Sequence, residues 1–485
     1  MKRKLIYIMT IGLGVLVTSS CKRELLNPAP QTSVSDATAF DQPYRIANQV
    51  LSLYTALKSG ALYGGRYLVY GDIRGEDFLL EDPNLVTNAD VWALNPTNTA
   101  NAVQGLWAQA YIVINNCNLF IDGMAAKGTS VVGVPTGNAY IAEARLIRAI
   151  SYYSLLQYYA RPFADGAGSK PGLPLRLTGI KAGGSSDLAR SSVADVYAQV
   201  ISDLDFAETN LPSTNGSVYN NTTRAHKNTA IALKTRVYLS MQNYAKVITE
   251  ANKIVPAAAP FTATSGVANT LQADITNVFK TPYTTAESIF SVPFSSTTGD
   301  IPGTQNGLQA YYLANATTGA GSIFSLNPAG IIGDAGWTAT DKRRSFILTK
   351  TGTPTKYYLT KFPTASPADF TPIIRWAEVL LNLAEAKVRS TNTVDAQALA
   401  ILNTIRQRSD PTVTFAPATS ADLINLIMNE RRIEFLGEGL RNNDLMRLLQ
   451  TLPAKGTVTA KAPTEEGYIW PVSSFEKSLN KLWAD

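Results

Sequence analysis

A chain of 485 residues, 45% apolar and 16% charged, with mean hydropathy of −0.02, has the composition of a globular protein, neither disordered nor polytopic. Its single histidine, His226, excludes a histidine-rich zinc site and forces any Ser-His-Asp or Cys-His apparatus through one residue. The formal charge of +6 points to an anionic partner only if it survives processing of the chain ends.

It does not survive intact. Lys2, Arg3 and Lys4 precede a thirteen-residue apolar run, Leu5 to Val17, followed by Thr18-Ser19-Ser20-Cys21. As a helix that run covers about 20 Å, short of the roughly 30 Å hydrocarbon core, so residues 1–20 read as a secretory signal peptide. A cysteine directly after small residues is similar to a bacterial lipobox, with Thr18 where leucine is usual, and makes Cys21 the expected lipidation site. Cleavage there lowers the charge to +3. No Lys/Arg runs interleaved with stacking aromatics remain, so no nucleic-acid partner is expected. Beside Cys21 only Cys117 is left, which excludes a disulfide framework. Its apolar neighbours from Tyr111 to Phe120 predict an inert core thiol.

Residues 21–40 are Pro- and Ser-rich and read as a lipidated N-terminus and tether, leaving 41–485 as one domain. Apolar spacings of three and four predict a helical frame over about 41–57, 101–255 and 371–450. Leu106 to Asn118, Leu146 to Leu156 and Val196 to Ala207 mark three helices, the third closed by Leu211-Pro212. Thr229 to Ser240 and Tyr244 to Ile254 form a helical hairpin. Its Ala232, Tyr238, Leu239, Tyr244 and Ala251 resemble the small-and-aromatic pattern of a tetratricopeptide pair. Helices are expected to resume at Thr371, with charges at helical spacing: Glu385–Arg389, Arg431–Glu434, Arg441–Asp444 and Asp444–Arg447. Between lie two loop-rich regions, 58–100 and 256–370, the second carrying β-prone bursts such as Ser288 to Phe294.

Two clusters invite a catalytic or metal reading. Glu430, Glu434, Glu438 and Asp444 offer paired carboxylates, but each has an arginine within one helical turn, which holds it ionised; an ion-pair network is the expected role. The acidic loop Asp72-Ile73-Arg74-Gly75-Glu76-Asp77, with Glu81-Asp82, lacks EF-hand spacing, so a hydrogen-bonded turn is expected and a structural Ca²⁺ is the alternative. No Walker loop, nucleophile elbow or dinucleotide fingerprint is present, and no cofactor is expected. His226, between Arg224 and Lys227, is expected to be solvated or to cap a helix.

The aromatics carry more information. Trp107, Tyr153, Tyr197, Tyr238 and Trp376 fall in helical periodicity and are expected in the core. Tyr63, Tyr67, Tyr70, Trp92, Tyr283, Tyr311, Tyr312, Trp337, Tyr357 and Tyr358 sit in polar, turn-rich sequence instead. Rings with polar rims suit sugars, whose C–H faces stack while hydroxyls bond to Asn, Asp and Arg; loop aromatics equally plug local cores.

The ordered motifs resemble one family. Leu106-Trp107 through Asn118, Ala142-Glu143-Ala144-Arg145 with Tyr152-Tyr153, and Asp195-Val196-Tyr197 with Leu211-Pro212 belong to it. Arg375-Trp376-Ala377-Glu378 through Ala386, Ile405-Arg406 with Arg408, and Glu430-Arg431-Arg432 through Asp444-Leu445 continue it. With Cys21 they are similar to the SusD/RagB family of surface glycan-binding lipoproteins. Asn442 replaces the aromatic usual after the arginine, and Ile469-Trp470-Pro471-Val472 is a diluted form of the Pro-rich ending. The resemblance implies a mainly α fold, with tetratricopeptide-like helix pairs in a superhelical frame and a long, helix-poor insertion. It implies a non-enzymatic protein lipid-anchored in the outer membrane, which captures oligo- or polysaccharide and delivers it to a SusC-like TonB-dependent transporter. By correspondence of the loops, Arg74, Trp92, Asn95, Tyr311, Tyr312 and Trp337 are the implied glycan contacts. A secreted glycoside hydrolase, or a repeat scaffold binding only protein, are the alternatives.

Overall fold

The computed structural model describes residues 38–484 apart from 185–186, 304, 314–321 and 364–367. The signal peptide, Cys21 and residues 21–37 of the tether lie outside the described residues. Helix α1 (Pro43–Leu57) opens on a proline whose fixed φ suits a first turn, and it buries Ile46, Val50, Leu53 and Leu57. A short α2 (Arg66–Ile73) follows. Then come α3 (Asn101–Gly123), α4 (Val134–Tyr159) and α5 (Val193–Asn210). Helix α5 starts at a reciprocal cap between Ser192 and Asp195. Helix α4 packs against both α3 and α5, so its C-terminal half, Ala142 to Tyr159, is buried almost throughout.

The expected hairpin is present as α6 (Lys227–Ser240) and α7 (Tyr244–Ala251), joined by Met241-Gln242-Asn243. Helices α8 (Trp376–Thr391), α9 (Ala396–Ser409), α10 (Ser420–Glu434) and α11 (Arg441–Arg447) complete the frame, with α8 packed against α6, α7, α9 and α10. Helix α12 (Ser474–Leu479) lies on the surface near the C-terminus. The mainly α architecture of helix pairs is that expected. Trp107, Tyr153, Tyr197, Tyr238 and Trp376 are all buried, as is Cys117, whose thiol pKa burial pushes up.

Two segments fold otherwise than expected. Thr371–Arg375 is a strand and not the start of a helix. Pro372 and β-branched Ile373 and Ile374 favour extended backbone, and pairing with Ser288–Val292 buries both segments entirely. In the loop-rich region 58–100, α2 is a true helix. Every residue from Tyr67 to Ile73 is buried, so no polar face marks its periodicity.

Among the described residues six strands, β1 (Phe78–Leu80), β2 (Ser288–Val292), β3 (Phe324–Leu326), β4 (Ile347–Lys350), β5 (Lys356–Leu359) and β6 (Thr371–Arg375), make two sheets. One is the β2–β6 pair; the other has order β1-β3-β5-β4 and is antiparallel throughout. It joins the two loop-rich regions, since β1 comes from the first and its partners from the second.

A buried ionic cluster fastens the second region to the last helices. Arg375 donates to both oxygens of Glu438 at 2.7 Å and to Glu434 at 3.1 Å, and pairs with Glu287. Arg343 reaches Asp341 at 2.6 Å, Glu430 at 2.6 Å and Glu434 at 2.9 Å. Arg406 binds Glu430 at 2.6 Å, Arg408 binds Glu434 at 2.6 Å, and Lys361 binds Glu438 at 2.6 Å. Five formal cations thus face five formal anions, all buried except the half-buried Arg408.

Candidate ligand-binding site

The four-stranded sheet owes its two unlike faces to strand alternation. Across the β4–β5 hairpin, Thr349 is opposite Tyr357 on one side, while Leu348 is opposite Tyr358 and Lys350 opposite Lys356 on the other. At the β1 end the first face enters the core. Phe78 packs on Tyr312 with ring centroids 4.9 Å apart, and Phe324 stacks on Tyr311 at 6.2 Å. At the β4 edge the same face leaves the core, and a cleft of about 480 Å³ opens between Pro328, Ile332, Ala339, Arg344, Ile347 and Tyr357.

Arg344 is a wall of this cleft rather than a free charge. Its Nη1 donates to the Ile332 carbonyl at 2.7 Å, its Nη2 to that of Trp337, and its guanidinium lies 4.3 Å over the Trp337 ring. Partial burial lowers its pKa from the usual arginine value. The opposite face carries a second cleft, about 360 Å³, bounded by Glu81, Asp82, Ser322, Lys350, Lys356 and Tyr358. There Glu81 accepts from Ser325 Oγ at 2.6 Å and pairs with Lys356, whose pKa the shared hydrogen bond raises. Neither the Tyr357 nor the Tyr358 hydroxyl is hydrogen-bonded among the described residues. The ribbon therefore offers one open phenol, the half-buried Tyr357, to the first cleft: a neutral donor and acceptor beside an apolar ring, with the neighbouring arginine already partnered; the Tyr358 ring on the other side is buried.

The contacts implied by the family resemblance are placed elsewhere. Arg74 is wholly buried, donating to Asn442 Oδ1 at 2.8 Å and the Tyr468 carbonyl at 2.6 Å. Trp92 is buried under Gly456 and donates to the Phe78 carbonyl at 2.8 Å. Tyr311 donates to the Gln305 carbonyl at 2.7 Å, and Tyr312 to Asp72 at 2.9 Å, both from the core. Trp337 is buried beneath Arg344. None of these five offers a side-chain face to a ligand; each is buried in the interior. Asn95 alone is exposed, in a separate cleft beside the C-terminal segment. From sequence Glu81 stands only as part of the acidic loop, and Arg344 and Lys356 are not singled out. The available signal was the alternating Lys356-Tyr357-Tyr358-Leu359 after a Gly- and Pro-bearing turn, the mark of a two-faced strand.

The acidic clusters are committed to structure. Burial pushes the Glu434 and Glu438 pKa values up, but the arginines around Glu434, and Arg375 with Lys361 beside Glu438, prevail and hold both below the usual range. Asp444, between Arg431 and Arg447, is held at about 2 despite burial. Asp72 accepts from Tyr312 and from the Gly439 amide, Asp77 pairs with Arg432, and Glu76 with Arg441, so the 72–77 loop is a hydrogen-bonded turn. Among the described residues no group of His, Cys, Asp or Glu is arranged to hold a metal ion. Two of the expected local ion pairs form, Glu385–Arg389 and Asp444–Arg447. The other two yield to distant partners: Arg431 pairs with Asp444, and Arg441 makes a two-pronged pair with Glu76. His226 is not solvated. It is fully buried at the residue preceding α6, where its amide donates to Thr229 Oγ1 at 3.2 Å, and burial lowers its pKa to about 4.

Comparison with known proteins covers both halves of the chain. A model of the SusD family matches residues 335–480. Another, described as starch-binding associating with outer membrane, matches residues 27–239. Among curated proteins, the chain is 25% identical over 264 residues to SusD-like protein P25 of Formosa agariphila, covering 51% of this chain and 46% of that protein. SusD-like protein P38 of the same organism is 23% identical, covering 96% of this chain and 95% of its own. The chain thus spans less than half of the first relative and nearly all of the second. A solved SusD superfamily structure from Bacteroides fragilis superposes with a TM-score of 0.81 at 30% identity, over 92% of this chain and 100% of that one.

Proposed function

The chain belongs to the SusD family, and from that premise we propose that it is a lipid-anchored, glycan-binding protein of the outer membrane that passes oligo- or polysaccharide to a SusC-like TonB-dependent transporter. The observation that carries the reading is the match of residues 27–239 to a family described as starch-binding and associating with the outer membrane. The β4–β5 ribbon supplies fitting chemistry: the half-buried Tyr357 for stacking and hydroxyl bonding, with Arg344 as a fixed wall of the same cleft. Acylation at Cys21 would hold the protein at the membrane; among the described residues no helix is long and apolar enough to cross one.

Affinity electrophoresis of the mature protein against a polysaccharide panel tests this. Retardation by one glycan class, weakened about tenfold or more by Tyr357→Ala and without release of shorter sugars, supports it. Unretarded migration in every gel, or steady production of shorter sugars, overturns it. Co-purification of a transporter from detergent-solubilised membranes tests the delivery step, and recovery of the lipoprotein alone would remove that step.

A further inference from the structure

Beside the C-terminal segment lies a cleft of about 570 Å³ that shares no lining residue with either face of the sheet. Its volume is within the roughly 300–1,000 Å³ typical of small-ligand sites. Aromatic rings back it: Trp470 and Tyr159, edge to face at 5.6 Å, and Trp483, whose outer neighbours are Trp107 at 5.7 Å and the Arg190 guanidinium at 4.6 Å. Tyr159 donates inward to the Val103 carbonyl at 2.5 Å, while the Trp470 indole N–H is buried and has no partner.

The rim is polar and uncommitted. The side-chain amides of Asn95 and Asn98 and the carboxylate of Glu466 make no hydrogen bond among the described residues, although the backbones of Asn95 and Asn98 are held by Asp90 and Ser474. The amides stand on backbone that is already fixed, so ordering them on a ligand costs little.

We propose that this cleft is a second carbohydrate site, taking a neutral oligosaccharide of a few units. Amides and a carboxylate bond hydroxyl groups in either direction, and the half-buried Trp483 indole takes the C–H side of a sugar ring. Glu465 and Glu466 share the lining with Arg190 and Lys477, so the cleft carries no net formal charge and suits an uncharged sugar. The inference rests on the glycan-binding reading above but on residues away from the sheet; of the contacts the resemblance implies, it uses Asn95.

Isothermal titration of the mature protein with neutral hexasaccharides (maltohexaose, cellohexaose, mannohexaose) tests it. The expected result is two sites for one neutral sugar. The double variant Asn95→Ala/Asn98→Ala, which removes no side-chain partner, leaves one site, as does Trp483→Ala; Tyr357→Ala leaves the other. A single wild-type site untouched by the asparagine variant overturns this proposal and leaves the proposed function standing. A site lost in the asparagine variant but kept in Tyr357→Ala supports the C-terminal cleft and removes the sheet. No binding of any sugar overturns both. If Trp483→Ala fails to fold, the asparagine variant decides.

Discussion

Arg343 and Arg344 are sequence neighbours with opposite surroundings. Arg343 is enclosed by Asp341, Glu430 and Glu434 in the interior, whereas Arg344 spends its donors on backbone carbonyls and faces an open cleft. The junction of the insertion with the frame consumes charge; the sheet displays rings and hydroxyls and neutralises what charge it has. Removing one partner from the junction strands a buried charge, while removing a group from the sheet face exposes little that water does not already satisfy.

Substitutions sharpen that contrast. Arg375→Met leaves Glu438, Glu434 and Glu287 short of a counter-charge and is expected to cost about 3–5 kcal/mol in urea unfolding. A loss below about 1 kcal/mol would mean that the cluster relaxes or takes up a proton. Trp92→Ala, at an implied glycan contact now placed in the core, should cost about 3–5 kcal/mol of stability and leave sugar affinity unchanged. The reverse pattern would return Trp92 to the binding face.

His226 gives a pH test. Its folded pKa, about 4, lies below the unfolded value near 6.5, so its contribution to stability is full above pH 6.5 and lost as the pH falls towards 4. At about 1.4 kcal/mol per pH unit, the loss approaches about 3 kcal/mol. Asp72, whose pKa burial raises, works in the opposite sense, so the quantity to measure is the difference between wild type and His226→Gln across pH 7 to 4. A parallel pair of curves would remove the histidine from the account.

On the sheet, Tyr357→Ala is expected to lower glycan affinity about tenfold, equivalent to about 1.4 kcal/mol, while shifting stability by less than that. Lys356→Met is the smallest: its pair with Glu81 is partly exposed, so under about 1 kcal/mol of stability should be lost. A larger effect of Lys356→Met on affinity than of Tyr357→Ala would make charge, and not the ring, the recognition element.

The helical frame was legible because α3, α5 and α7 each bury one stripe and repeat it along the helix, whereas α6 is buried on every side. The sheet was not. Strands of three to five residues, such as Phe78–Leu80 and Phe324–Leu326, meet partners nearly 250 positions away, and no local pattern records that pairing. Tyr357 and Tyr358 stood among the loop aromatics, yet nothing local separated them from Tyr311 and Tyr312. The difference is whether the ring packs on Phe324 and Phe78 or borders a cleft, and only the sheet register decides it. The acidic cluster was read correctly in kind, since arginines one turn away already forbid a general acid. Its partners Glu287, Asp341, Arg343 and Lys361 came from the insertion, beyond the reach of helical spacing.

The five-against-five cluster also bears on how the protein meets a ligand. Swinging the insertion away from the last helices would uncouple buried charges, which places such a movement among the costliest the chain can make. The ribbon is therefore presented ready-formed, its ordering entropy already spent during folding. Encounter with a sugar should be close to rigid docking, with rotamers adjusting and the backbone nearly still.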